Sequence, residues 1–187
     1  VNYIVLDDAG DPTAASKNAR KLVSEDKVDV IIGASTTPTS TAVLEVAAET
    51  KTPQIAMAPF APAADKAAWV FQMPQDFGIM ANAIVDHMVA NGVKSIAFIG
   101  YTDGYGELWL RVMNGITAAK GIKMVAVERF NRTDTSVAGQ TLKMMSMNPD
   151  AVLVVGSGTP AAMPQATLVE RGYKGRIYQT HGVANKD

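Results

Sequence analysis

Residues 28–46 read VDVIIGASTTPTSTAVLEV. The β-branched run 28–32 stops at Gly33, and a helical apolar pattern resumes at Thr39. Between and around them stand Ser35, Thr36, Thr37, Thr39, Ser40 and Thr41. One or two hydroxyls at such a handover would cap the helix by accepting from its unpaired N–H groups. Six leave two readings open: a redundant cap, or a place where something anionic is held.

The same handover recurs along the chain. Strands are predicted at 2–6, 28–32, 54–58, 70–72, 95–99, 123–129, 151–155 and 176–179, with helices at 12–24, 39–50, 78–91, 106–120, 135–148 and 161–171. Near-continuous apolar runs such as DVIIG, SIAFIG and AVLVVG fit parallel strands covered on both faces. Strand–helix alternation of this kind predicts right-handed βαβ units and an α/β fold with an open parallel sheet. Pro12 after Asp11 reads as a helix start, and Gly92 and Gly121 as helix ends. The stretch MAPFAPAADKAAWVFQMPQD, residues 57–76, breaks the rhythm with Pro59, Pro62 and Pro74 and no helical stripe. It reads as the passage from one lobe to another.

Composition narrows the function. Seventeen basic against eighteen acidic residues give a net charge of −1, which provides no electrostatic footprint for nucleic acid or an anionic membrane. Absence of cysteine removes disulfides, thiolate metal sites and cysteine nucleophiles. No apolar run approaches the roughly 20 residues of a membrane span. The opening VNYIVLDD reads as the interior of a domain, so a targeting segment is expected to have been lost from the chain as given. Enzyme fingerprints fail: GYTDGYG lacks the Lys-Ser/Thr of a phosphate loop, GSG at 156–158 lacks the third glycine of a dinucleotide motif, and no GxSxG or HExxH occurs. No cofactor is implied.

Four of the strand candidates, 28–32, 95–99, 151–155 and 176–179, instead end in glycine-containing polar turns: GASTTPTS, GYTDGYGE, GSGTPAAM and THGVAN. In open α/β sheets the carboxyl ends of the strands form the ligand-binding edge. Unpaired N–H groups and hydroxyls at a helix start suit a carboxylate without any arginine. Capping alone accounts for any one hydroxyl at 35–37 as well as ligand contact does. Gly33, Gly100 and Gly156 fit tight turns. Tyr105, between two glycines at a helix start, is poorly placed for a core, whereas Tyr101 and Phe60 fit rim or packing equally well. Trp109 and Trp69 read as packing residues and His87 as a plain helical histidine; His181, in a polar turn, is the better candidate for contact.

The landmarks in order, from DPTAASKNARKLVSEDKVDVIIGASTTPTSTAVLEVAAETKTPQIA through WVFQMPQD, SIAFIGYTDGYGE and NPDAVLVVGSGTPAAMPQATLVERGYKG to THGVAN, resemble the Leu/Ile/Val-binding family of ABC-transporter ligand-binding proteins. The resemblance implies a two-lobed type I periplasmic-binding-protein fold, truncated at both ends, with residues 1–74 as part of lobe one and 75–187 as most of lobe two. It further implies an extracytoplasmic, non-enzymatic binding component that traps a small carboxylate between lobes and presents it to a membrane permease, without inserting into the membrane itself. The family's carboxylate turn falls at Ser35, Thr36 and Thr37. Its second carboxylate-side turn falls at Pro59, Phe60 and Ala61, here without a hydroxyl. Tyr105, Gly158 and Thr159 match lobe-two contacts. The family's amino-acid binders carry an acid where this chain has His181, which favours an amine-free aromatic or aliphatic acid and leaves a branched-chain amino acid open. Two other classes are weighed: an effector domain of a transcription regulator on the same fold, and a flavodoxin-like or Rossmann enzyme.

Overall fold

The computed structural model describes residues 1–183; Ala184 and Asn185 of the THGVAN turn, and the two residues after them, lie outside the described residues. The chain forms two compact units, one spanning Val1–Asp76 and the other beginning at Phe77.

In the first unit a parallel sheet of order β1 (Ile31–Ile32), β2 (Gln54–Ala56) and β3 (Val70–Gln72) carries helices α1 (Pro12–Ser24) and α2 (Thr37–Thr50). Asp11 caps α1 by accepting from the Ala14 N–H at 2.7 Å, with Pro12 fitting the first turn. Ala15 and Ala19 of α1 let it close against Val43 and Val46 of α2, over Ile31. Residues 2–6 form no strand, contrary to expectation. They are largely apolar, but they are exposed and no strand among the described residues pairs with them, so their composition has nothing to act on. The expected strand 28–32 shortens to its last two residues. The Ile31 N–H meets the Pro53 carbonyl at 2.9 Å, while the Val28 N–H turns back onto Leu22 O at 3.1 Å, so the ladder begins only at Ile31.

The second unit is a four-stranded parallel sheet of order β5–β4–β6–β7, with β4 at Ser95–Tyr101, β5 at Lys123–Phe130, β6 at Ala151–Val155 and β7 at Arg176–Gln179. Helix α4 (Gly104–Ala119) carries the chain from β4 outward to β5; α5 (Ala138–Ser146) and α6 (Ala162–Glu170) carry it the other way, to β6 and β7. Right-handed crossovers therefore put α4 on one face and α5 with α6 on the other. Packing agrees: α3 (Phe77–Ala90) lies against α4, and α5 against α6. The central strands are buried on both faces, as their uninterrupted apolar runs require. Trp109, Met88, Met113, Phe98, Leu153, Met144 and Leu168 fill the core around them. Each such side chain contributes about 1.5–3 kcal/mol by leaving water.

Helix bounds differ from expectation mainly where a cap decides them. α2 starts at Thr37 rather than 39, because Thr36 takes the extended N-cap conformation. α4 starts at Gly104 rather than 106, because Asp103 caps it. The helix expected over 135–148 shortens to α5, and the one over 161–171 becomes a 3₁₀ turn, Thr159–Ala161, leading into α6.

Candidate functional site

The first-unit turn divides its hydroxyls between several duties. Thr36 Oγ1 accepts from the Thr39 N–H at 3.4 Å and pairs with Thr39 Oγ1 at 2.7 Å, so it is the cap. The buried Thr37 hydroxyl donates to the Pro59 carbonyl at 2.7 Å and ties this turn to the one after β2. Ser40 Oγ donates to Ala34 O at 2.8 Å, and Gln54 Nε2 donates to the carbonyls of Gly33 and Ser40. Ser35 is exposed, and its hydroxyl has no partner among the described residues. Pro38 supplies no N–H, and helix geometry leaves those of the first turn without intrahelical acceptors. With the Thr39 N–H capped by Thr36 and the Ser40 N–H bonded to Thr36 O at 2.9 Å, the exposed Ser35 hydroxyl and the Thr37 N–H remain without partners among the described residues at the start of α2.

In the second turn, Pro59 is buried and Ala61 exposed. Phe60, open between rim and packing in the sequence, is a packing residue. Its ring is 6% exposed among Leu44, Ala47 and Ala56, with Trp69 and Val70 against that cluster, and its N–H donates to Gln72 Oε1 at 2.8 Å.

In the second unit the ends of β4, β6 and β7 interlock. Tyr105 is 4% exposed, against the expectation that it avoids the core. Gly104 and Gly106 are not loop spacers but the first turn of α4, which lies directly on the end of β4. A Cβ at Gly106 would fall 1.9 Å from Tyr101 O, so only glycine allows this approach, and it turns Tyr105 inward. The Tyr105 hydroxyl bonds Thr180 Oγ1 at 2.9 Å, and Thr180 Oγ1 donates to Gly156 O at 3.2 Å. Thr180 has one proton, so Tyr105 is the donor of the first bond. Burial pushes the Tyr105 hydroxyl up in pKa, which keeps that proton in place. Gly158, at φ +62°, donates its N–H to Gly182 O at 2.9 Å, and a Cβ on Gly182 would lie 2.5 Å from Gly156 O. The turns after β6 and β7 are thus pressed backbone to backbone. Thr159 is exposed beside them.

His181 is exposed, with ring centroids 6.3 Å from Tyr105 and 6.5 Å from Trp109. Desolvation holds its pKa below the ordinary 6.5, so the imidazole is neutral at pH 7. The indole N–H of fully buried Trp109 has no well-formed hydrogen bond. His87 is exposed, but its Nδ1 lies 3.1 Å from the Tyr178 hydroxyl on β7, a partner its helix does not reveal.

Sequence reasoning missed four participants at this edge: Asp103, Arg132, Ser157 and Thr180. Asp103 could have been found as an N-cap before Gly104, since its Oδ1 accepts from the Tyr105 and Gly106 N–H groups at 2.9 and 3.3 Å. Arg132 carries no local signal, because its partners lie 29 and 25 residues away in sequence.

The chain belongs to the periplasmic binding protein family, whose model matches residues 1–185. An extracellular ligand-binding receptor from Rhodopseudomonas palustris is 54% identical over 97% of this chain and 51% of its own, with a TM-score of 0.95. The solute-binding protein of an ABC transporter from R. palustris BisB5, solved with 3,4-dihydroxybenzoic acid, is 23% identical over 97% of this chain and 51% of its own, with a TM-score of 0.86. The leucine-binding protein LivK from Thermotoga maritima MSB8 is 22% identical over 96% and 52%, with a TM-score of 0.87. The last two share the fold. Among curated proteins no sequence matches this chain. The chain spans about half the length of these solved structures. Family membership implies an extracytoplasmic setting; among the described residues no helix is long and apolar enough to cross a membrane. A leucine binder and an aromatic-acid binder both share the fold, so the fold alone does not choose the ligand.

Proposed function

We propose that this chain is the solute-binding component of an ABC importer, working by binding alone, and that its ligand is a small carboxylate without an amine. The observation that carries the reading is the start of α2, where among the described residues the Ser35 hydroxyl and the Thr37 N–H stand without partners. A carboxylate accepting two or three charge-assisted bonds, each contributing about 1.5–3 kcal/mol, reaches much of the roughly −8 kcal/mol of a micromolar complex. In the second unit the exposed neutral His181 offers no negative charge to an ammonium group. An amine-free acid leaves that position without a penalty. The 3,4-dihydroxybenzoic acid bound by the BisB5 relative is a ligand of this chemistry.

The assignment divides the carboxylate turn by role. The Ser35 hydroxyl and the Thr37 N–H receive the carboxylate, Thr36 caps, and the Thr37 hydroxyl braces the 59–61 turn. On the second unit, Tyr105, Gly158, Thr159 and His181 are the positions assigned to ligand contact. A membrane permease is the partner this role requires.

Titration calorimetry on the full-length parent tests the reading, with benzoate-type acids, aliphatic monocarboxylates and branched-chain amino acids compared. Binding of amine-free acids at micromolar level is the expected result. Binding of leucine-like ligands alone would overturn the amine-free assignment, and silence from every carboxylate would overturn the cradle.

A further inference from the structure

Arg132 sits two residues past the end of β5, and its guanidinium reaches over the end of β4 to the turn after β6. Its Nε donates to Asp103 Oδ2 at 2.7 Å and its Nη1 to Ser157 Oγ at 2.9 Å. Between those anchors the guanidinium carbon lies 4.1 Å from the centre of the Tyr101 ring. That ring is itself fixed: it is 1% exposed, it packs on Phe130 at 4.9 Å, and its hydroxyl donates to Ser157 O at 2.7 Å. β5 and β6 are not neighbours in the sheet, since β4 lies between them, so no strand pairing ties their turns together. The arginine does.

These bonds close into a circuit. Asp103 Oδ1 accepts from the Tyr105 N–H at 2.9 Å, the Tyr105 hydroxyl bonds Thr180 Oγ1, and Thr180 Oγ1 donates to Gly156 O at 3.2 Å. Ser157 follows Gly156 in the chain, and Arg132 joins it back to Asp103. The turns after β4, β5, β6 and β7 are thereby linked within the second unit. A guanidinium suits this place because its N–H groups point in fixed directions and hold both partners in one geometry. The side chain is 30% exposed, so it adds little to the core. Both of its partners instead stand beside positions assigned to ligand contact: Asp103 holds the Tyr105 N–H, and Ser157 precedes Gly158 and Thr159.

We propose that Arg132 is a positioning residue of the second unit: through Asp103 it sets Tyr105, and through Ser157 it sets Gly158 and Thr159. It acts through these turns and not by touching the ligand. The inference rests on the assignment of those positions to ligand contact above, and it concerns the second unit alone.

The test compares the full-length parent with its Arg132→Met, Arg132→Lys and Ser157→Ala variants. Hydrogen–deuterium exchange reads the turns, and titration calorimetry with benzoate and 3,4-dihydroxybenzoate reads binding. In Arg132→Met the amides of Tyr105, Gly106, Ser157 and Gly158 should exchange about tenfold faster, while those of β4 and β6 keep their protection. Both acids should bind that variant about tenfold more weakly. Arg132→Lys should restore protection at Tyr105 and Gly106 by pairing with Asp103, but not at Ser157 and Gly158, since a point charge lacks the planar fork. Ser157→Ala should loosen the 156–158 turn, weaken binding, and add little in the Arg132→Met background. Unaltered exchange in the turns, or equal acceleration in turns and core strands, would make Arg132 an ordinary stabilising residue and overturn the proposal. So would faster exchange in the turns with unchanged affinity. Full restoration of both turns by lysine would overturn the role of the fork. If Arg132→Met does not fold, Ser157→Ala decides in the same way: unchanged exchange at positions 157 and 158, or unchanged affinity, overturns the proposal. A parent that binds no acid would sink the carboxylate reading, and the exchange pattern would then decide by itself whether Arg132 sets these turns.

Discussion

Ser35 and Thr37 stand two positions apart in one polar run, yet they have opposite surroundings. Thr37 is buried and donates to Pro59 O, whereas Ser35 is exposed, its hydroxyl without a partner among the described residues. Thr37→Ala leaves a buried carbonyl unsatisfied and is expected to lower stability by about 1–2 kcal/mol in urea unfolding. Ser35→Ala should leave the unfolding midpoint nearly unchanged and weaken acid binding about tenfold in calorimetry. If both variants bound normally, neither hydroxyl would belong to the cradle. His181 has a measurable signature as well. Partial desolvation of the ring beside Tyr105 and Trp109 lowers its pKa, so its NMR titration midpoint should lie below 6.5. The sign for stability follows: the contribution is full above the unfolded value and is lost as pH falls through the folded one. A midpoint at or above 6.5 would remove the case for a neutral imidazole at this edge.

At the scale of elements, caps and glycines set where the site turns lie. Asp103 starts α4 and also anchors Arg132, so Asp103→Ala is expected to cost about 1 kcal/mol from the cap and to release Arg132 as well. Circular dichroism with urea checks the first effect. Gly158 holds φ +62° between β6 and α6, where any side chain is strained. Gly158→Ala should destabilise by about 1 kcal/mol or more and disturb the Gly158–Gly182 contact, a change visible as amide shifts for Gly182. The interiors of these elements were legible beforehand because apolar runs such as AVLVV report burial directly. Their ends were less so: α2 and α4 both begin two residues earlier than their apolar pattern, since the cap rather than the stripe defines a helix start.

The two units differ in how completely they bury their sheets. β4 and β6 of the second unit are covered on both faces, whereas the first unit leaves Ile32 55%, Phe71 62% and Met73 65% exposed. Hydrogen exchange on this chain should therefore find the amides of β4 and β6 slowest and those of β1 to β3 fast. Equal protection in both sheets would contradict that account. A pH effect belongs to this scale as well. Tyr173 donates its hydroxyl to Pro149 O at 2.9 Å, and burial with the nearby Asp150 pushes it up to about 12. The folded chain thus keeps this proton more tightly than the unfolded chain, so the contribution is full below about pH 10 and lost as pH rises toward 12. Half-burial limits its size to about 1 kcal/mol, and Tyr173→Phe should flatten the decline in urea titrations across that range.

What the sequence determined by itself was the fold class and the sheet edge at which its polar turns gather. Strand–helix alternation with doubly apolar strands admits few architectures, and glycine-rich polar turns after strands mark the carboxyl end of a parallel sheet. The tertiary structure alone decided which polar groups at that edge are free. Hydrogen-bond partners such as Thr37 with Pro59, or Arg132 with Asp103 and Ser157, lie more than twenty residues apart. Whether a hydroxyl is a brace or an open donor depends on what the packed chain brings within 3 Å of it, and no local pattern carries that information. For the same reason residues 2–6 read as a strand and are none: a strand exists only where another backbone meets it.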